Sequence, residues 1–458
     1  MKLTDYNKVF FMGIGGIGMS ALARWFRNAG YVVGGYDRTT SEITKALEAD
    51  GAQIIYTDDV ALLPNDFVSS NKALVVYTPA IPANNELLCF FNNNGFSVVK
   101  RSVALGIIAQ ATTAICISGT HGKTSVSTMV ACILDQTEIG VNAFLGGISK
   151  NFNSNVVIRP ESPLTVIEAD EFDRSFLTLY PQVAVVTAID ADHLDIYGTK
   201  AEVEKAFSAF VSQVKQGGVV ILKQGLDRSL FTNTGVTYYT YSLNRQADFF
   251  ASDIAIVNGE YHFNLHTPRG VIADVCLGTS SLYNVENAVA AAEAAMSAGA
   301  TDEQIRHGIL CYAGVRRRFD VKAKRADIIY IDDYAHHPEE IKACLRSVRD
   351  MFPTQQVTVI FQPHLYTRTR DFAAEFAEAL DLADRVIVTD IYPAREEPID
   401  GVTPDLILSK LKKADHSYVT YSRLLAEVER IGNGVLLTMG AGNIDMLINP
   451  IHQMLIER

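Results

Sequence analysis

Cysteine is sparse in this 458-residue chain, and what there is lies scattered. Cys89, Cys116, Cys132, Cys276, Cys311 and Cys344 are never closer than 16 residues, and no CxxC pair occurs. That pattern argues against a disulfide framework or a zinc knuckle and suits a reducing compartment. Positive charge is also in deficit, with 40 Lys and Arg against 52 Asp and Glu and a formal charge of −12. A protein that coats nucleic acid or an anionic membrane would carry the opposite balance. The N-terminus, MKLTDYNKVFFMGIGG, has no signal-peptide layout, and no repeat or low-complexity tract follows it. One stretch, Ser102 to Thr120, has no formal charge over 19 residues. Its period changes midway, from a short helix at Ser102–Gln110 to a β-branched strand, Thr113–Ser118, so it does not predict a membrane span. The expectation is a cytoplasmic protein with neither nucleic acid nor membrane as partner.

What is present is ordinary for a folded chain, 48% apolar and 20% charged, and the length suggests two to four domains. Short apolar runs (Val9–Met12, Val32–Tyr36, Ala73–Tyr77, Ser97–Val99) alternate with amphipathic segments (Ile17–Ala29, Ser41–Ala49, Asn84–Asn93). The alternation resumes through Thr113–Ser118, Leu164–Ile167, Val183–Ile189 and a helix over Thr199–Val214, with a second helix at Ala288–Ala298. Tyr261–His266 and Val271–Val275 flank Thr-Pro-Arg-Gly and predict a hairpin. After the basic cluster Arg316–Arg318, strands at Ile328–Ile331, Val357–Phe361, Arg385–Thr389 and Val435–Met439 are interleaved with helices from Pro338, Arg370, Pro404 and Arg423. This predicts three consecutive α/β units with mostly parallel sheets, divided as residues 1–105, 106–315 and 316–458.

Two glycine loops carry the chemistry. Gly13-Ile-Gly15-Gly16-Ile-Gly18 follows a strand, precedes a helix, and has Asp37 19 residues beyond Gly18. Such a loop lets backbone approach a diphosphate at a helix N-terminus; it does not separate NAD from a UDP-sugar. Gly119-Thr120-His121-Gly122-Lys123-Thr124-Ser125 sits between the TAICIS strand and a helical run. Its N–H groups would cradle phosphates, Lys123 would reach the β/γ-phosphates of ATP, and Thr124 would ligate Mg²⁺. The usual pattern wants glycine where this chain has Ile117. Acidic clusters end the next two strands: Glu168, Asp170 and Glu171, then Asp190, Asp192, His193 and Asp195. Beside a phosphate loop they suit a hard metal ion.

The ordered set GIGGIGMSALA, SGTHGKTS, EADEFDRSFL, DADHLDIYG, LYNVENAVAA, GVRRRFD, DDYAHHPEE and FQPHLYTRTRDF resembles the Mur ligases over nearly the whole chain. These are three-domain, ATP-dependent, amide-forming enzymes of peptidoglycan precursor synthesis. The resemblance implies a Rossmann-like N-terminal domain, a P-loop ATPase-like centre and a Rossmann-like C-terminal domain. The family's phosphate loop is GTxGKT, which removes the Ile117 mismatch. His121 in that loop, the N-terminal glycine loop and HLYTRTR imply UDP-N-acetylmuramate and L-alanine as substrates.

Residue roles follow from the same resemblance. Gly13, Gly15, Gly16, Gly18 and Asp37 would hold the UDP part. Gly119 to Ser125 would bind ATP, with Thr124, Glu168 and His193 at Mg²⁺. Asn284 would meet adenine, its plainer reading being a helix N-cap. Arg318, with its neighbour Arg317, would contact phosphates, and Asp333 would approach the nucleotide. Tyr334 and His336 would lie near the reacting groups, His336 helping to deprotonate the amine, while His364 and Arg368 would hold alanine. Some relatives carry a carbamylated lysine on the helix after the DHxD segment; Lys205, off the apolar face, is not assigned that role. Three other readings stay open. A recycling branch of the family adds a tripeptide to the same nucleotide and shares GTHGKT and EADE. An NAD-dependent oxidoreductase would use only the first loop, and a regulatory ATPase only the second.

Overall fold

The computed structural model describes residues 1–69, 71–190, 194–243, 245–279, 281–394, 396–412 and 415–457. Its contacts define two compact units. The first comprises Met1–Ser252, Asn264–Val275 and Asn287–Tyr312; the second comprises Asp253–Phe263, Cys276–Glu286 and Ala313–Arg458.

The N-terminal sheet has five parallel strands in the order Gln53–Ile55, Val32–Tyr36, Lys8–Met12, Ala73–Tyr77, Ser97–Lys100. A parallel strand must bury both faces, and the sequence KVFFM does so. Val9 and Phe11 pack into a core with Leu22 and Phe26 of the helix Ile17–Asn28. Phe10 and Met12 join Phe67 and Phe91 on the other side. Fully burying such a side chain contributes about 1.5–3 kcal/mol. The uncharged stretch becomes the helix Arg101–Ala111 and the strand Thr113–Ser118, as its change of period predicts. Among the described residues, no helix is long and apolar enough to cross a membrane.

Thr113–Ser118 lies inside a ten-stranded sheet, paired in parallel with Leu164–Glu168 on one side and Val183–Val186 on the other. Val219–Lys223 and Thr237–Ser242 extend the parallel run beyond Val183–Val186. Asn142–Ser149 and its antiparallel partner Ser154–Val157 lie beyond Leu164–Glu168. The predicted hairpin is present as Glu260–Thr267 and Gly270–Leu277. In the second unit, five strands run parallel in the order Ile328–Asp333, Gly434–Met439, Val357–Phe361, Arg385–Val388, Asp415–Tyr418, and Asp320–Lys324 adds antiparallel to the first.

Some boundaries moved for identifiable reasons. The strand expected over Val183–Ile189 stops at Val186, because Thr187 turns to bond the carbonyls of Ser118 and His121. The helix expected from Arg370 is two pieces, Tyr366–Asp371 and Ala373–Leu380, broken at Phe372, whose φ is −117°. Thr199 is the N-cap of Lys200–Ser212, its hydroxyl accepting from Glu202 N–H at 3.4 Å.

Candidate active site

The first loop turns at Gly13, where φ is 88° and only glycine is unstrained. The N–H groups of Gly13 and Ile14 donate to the Tyr36 carbonyl at 2.7 and 3.1 Å, tying the loop to the next strand. Gly16 is the N-cap of Ile17–Asn28, whose first turn lines a cavity of about 780 Å³. Gly13, Gly18, Asp37, Arg38 and Arg101 also line it. Asp37 accepts the Gly15 N–H at 2.8 Å and the Thr39 N–H at 3.1 Å, so it braces the loop as well. A Cβ on Gly18 would collide with the Arg101 guanidinium, which therefore lies over the helix N-terminus. Free N–H groups and a guanidinium at one cavity make an anion site.

The second loop leaves Ser118 and enters the helix Lys123–Asp135, with Gly122 as left-handed N-cap at φ 82°. A Cβ on Gly119, where φ is 131°, would run into the Thr187 hydroxyl, so glycine is required by both space and conformation. Thr120 Oγ1 donates to Asp190 at 3.0 Å, and His121 Nε2 lies 3.3 Å from the same carboxylate. Lys123 Nζ donates to the Gly119 carbonyl at 2.7 Å and to both Glu171 oxygens at 2.9 and 2.8 Å. Burial opposes the ammonium charge, but Glu171, Asp170 and Glu168 outweigh it and hold the Lys123 pKa above the usual lysine value. Burial also raises the Glu171 carboxyl, against the pull of Lys123. Thr124 is buried in the first helical turn. Glu168 stands opposite Ile117 in the parallel register and accepts the Gly146 N–H at 3.0 Å. His193 lies outside the described residues.

In the second unit, Asp333 ends its strand and accepts N–H groups from Phe319 at 2.7 Å and Ala335 at 2.8 Å. This braces the backbone around Arg318, where Arg317 and Phe319 hold positive φ of 64° and 45°. Arg318 lies 3.7 Å from Glu340 and 5.1 Å over the Tyr334 ring. Arg317, expected beside it on phosphates, is bonded to buried Asp332 at 3.2 Å. His336 Nδ1 is 3.4 Å from Glu340 and 3.1 Å from the Tyr334 carbonyl. Burial pushes its imidazole down to about 4; Glu340 resists, while Arg368, His364 and Arg318 add to the fall. His364 meets the edge of His336 at 5.8 Å and stacks on Tyr392 at 5.7 Å. Asn284 is the third residue of the helix Leu282–Ser297, inside its first turn rather than at its cap, and bonds Thr279 at 3.4 Å.

Three successive segments match descriptions of one family: "Mur ligase family, catalytic domain" over residues 8–113, "Mur ligase middle domain" over 117–295 and "Mur ligase, glutamate ligase domain" over 317–442. The chain belongs to the Mur ligase family. It is 46% identical to the UDP-N-acetylmuramate–L-alanine ligase of Phocaeicola vulgatus over 452 residues, 98% of each chain. Among solved Mur ligases, the UDP-N-acetylmuramate-alanine ligase of Thermotoga maritima is 26% identical with a TM-score of 0.77, covering 98% of this chain and 99% of that one. A murein peptide ligase from Psychrobacter arcticus shares the fold at 21% identity and a TM-score of 0.66, covering 98% of both chains.

Several residues that shape these Mur ligase loops escaped the sequence. Glu171 was visible as one acid of a cluster, but nothing local singles it out as the partner of Lys123, 48 positions away. Thr187 and Asp190 follow the strand Val183–Val186 and reach the phosphate loop because that strand pairs with Thr113–Ser118; Asp190 was visible only as one acid of its cluster, not as the partner of Thr120. Glu340, placed between Arg318 and His336, had a signal: it is the N3 residue of a capping box opened by His337. Arg101 had none.

Proposed function

We propose that this Mur ligase joins L-alanine to the lactyl carboxylate of UDP-N-acetylmuramate, converting ATP to ADP and phosphate. The observation that carries this reading is full-length identity of 46% to a relative named for that reaction. The geometry agrees with it: one unit holds both a diphosphate-type cavity and a phosphate loop, which an oxidoreductase or a simple ATPase would not need together.

A carboxylate does not condense with an amine in water, because hydroxide is a poor leaving group. In the proposed reaction the lactyl carboxylate takes the γ-phosphoryl group of ATP, giving an acyl phosphate and ADP. The neutral amine of alanine then attacks the acyl carbon, and phosphate leaves. The first step brings two anions together, so the residues must supply positive charge. Gly13, Gly15 and Gly16 shape the turn that admits the UDP diphosphate, and Gly18 in the first helical turn offers it a backbone N–H, with Arg101 above and Asp37 as brace. Gly119 to Ser125 cradle the ATP phosphates, and Lys123 exchanges Glu171 for phosphate oxygens. Arg318 adds charge to the transferring group, and Asp333 and Asn284 serve the nucleotide. His364 and Arg368 hold the alanine carboxylate beside Tyr334. His336, neutral at pH 7, offers a lone pair to the amine.

The donors around Thr124 fit Mg²⁺. Among the described residues, the hydroxyl at the helix start and the carboxylates of Glu168 and Asp170 at and just past a strand end are oxygen donors, the choice of a hard cation, to which His193 would add one imidazole nitrogen. Thr124, Glu168 and His193 would hold the ion, which would supply charge neutralisation at the phosphates. The reaction belongs in the cytoplasm, where ATP and nucleotide sugars are made. The deciding assay is phosphate release with UDP-N-acetylmuramate and ATP, comparing L-alanine, a tripeptide and no amine. Alanine-dependent release is expected; release that requires the tripeptide, or needs no muramyl substrate, would overturn the reading.

A further inference from the structure

The ligase chemistry leaves the hairpin Glu260–Thr267 and Gly270–Leu277 without a task. On it, Glu260, His262 and Cys276 each bring one ligand atom to within 4.8 Å of the other two. Among the described residues, no other group of three or more His, Cys, Asp or Glu side chains does so. All three belong to the second unit. Strand geometry explains the meeting. Glu260 and His262 are two residues apart and share a face, while Tyr261 and Phe263 between and after them are buried on the other. Cys276 comes from the neighbouring strand, between the buried Val275 and Leu277.

We propose that Glu260, His262 and Cys276 form a Zn²⁺ site with a fourth position open to water. Zn–S near 2.3 Å and Zn–O near 2.0 Å at a tetrahedral angle place the two ligand atoms about 3.5 Å apart. Cys276 Sγ and Glu260 Oε2 are 3.6 Å apart. A thiol–carboxylate hydrogen bond would account for that one distance, whereas the cluster also brings a His262 ring nitrogen within 4.8 Å of both atoms. The donor set also selects the ion: thiolate with imidazole favours zinc, whereas Mg²⁺ and Ca²⁺ take oxygen alone. On binding, the Cys276 S–H bond breaks, an S–Zn bond forms, and the proton goes to solvent, so affinity rises with pH. Because Gly270–Leu277 is the last strand of its sheet, the ion would clip an edge strand to its neighbour.

Cobalt substitution tests this on the full-length chain, stripped with chelator and kept reduced. One Co²⁺ per chain should give a thiolate-to-metal charge-transfer band and tetrahedral d–d absorption, both bleached by Zn²⁺. The oxygen donors near Thr124 cannot give that band. C276S should abolish it, and H262Q should weaken affinity by more than about tenfold. C311S should leave it intact, although Cys311 lies 3.6 Å from His307 and is the alternative thiol–imidazole pair. No charge-transfer band, a band that survives C276S, a band lost in C311S, or unchanged affinity in H262Q would each overturn the proposal.

Discussion

Lys123 is held by a buried acid even though its proposed task is to meet phosphate, and that sets what its removal should do. Lys123→Ala deletes a charge aimed at the transferring group, so kcat/KM should fall by about 10²-fold or more. Far-ultraviolet dichroism should stay unchanged, since the helix Lys123–Asp135 is anchored by its apolar residues. His336→Asn tests the amine-activating role separately. If the imidazole accepts the proton, kcat should drop about 10²–10⁴-fold with little change in the KM for ATP. Asp332 makes a prediction about pH. Burial, against the pull of Arg317, pushes its carboxyl up to about 6. The unfolded value is near 3.9. Between about pH 4 and pH 6 the folded state therefore binds more protons, and stability falls as pH rises through that window. In Asp332→Asn this contribution is absent. The urea-derived stability difference should move in the variant's favour from pH 4 to pH 6 and level off above it.

Elements that carry their own pattern were legible before folding. The strands Val32–Tyr36, Ala73–Tyr77, Thr113–Ser118 and Val357–Phe361 and the helix beginning at Pro338 stand where period and capping predict. Asn142–Ser149 escaped, because NAFLGGIS has two glycines and no alternation; its strand exists through pairing with Leu164–Glu168 and Ser154–Val157. Asp302–Cys311 also escaped, and the reason is in its packing. Gly308 sits against the phosphate-loop helix so closely that a Cβ would lie 2.5 Å from Ile133 Cα. Glycine inside a helix weakens the local signal, and here it is used for close approach. Gly308→Ala should push the two helices apart and cost about 1–3 kcal/mol, read as a lower urea midpoint. The candidate site divides the same way. Loop glycines, Lys123 and Thr124 were readable as contiguous motifs and Glu171 and Asp190 as acids of strand-end clusters, whereas the partners of Glu171, Asp190 and Thr187 lie across strands and become visible only in the sheet.

The whole molecule has separate apolar cores in each unit: Val9, Phe207 and their neighbours in the first, Ile331, Leu345, Tyr330 and theirs in the second. Calorimetry should therefore resolve more than one unfolding transition. The cavity at Gly13–Gly18 lies wholly within the first unit. UDP-N-acetylmuramate alone, at a hundredfold excess over its Kd, should stabilise the transition of that unit by about 2.7 kcal/mol and leave the other unmoved. The charge of −12 belongs at this scale too. It describes the surface, while in the proposed reaction the anionic substrates would meet loops of backbone N–H groups and a few cations. The bracing of the phosphate loop also has a consequence in time. Thr120 is fixed by Asp190, 70 residues later in the chain. At roughly 5–20 residues per second, a ribosome needs several seconds to deliver the second after the first. During that interval the strand Thr113–Ser118, apolar on both faces, waits without Val183–Val186 beside it. The glycine loop over residues 119–125 is thus among the earlier parts of its unit to be made and among the later to take shape, and the nascent chain exposes that apolar strand while the loop is unfinished.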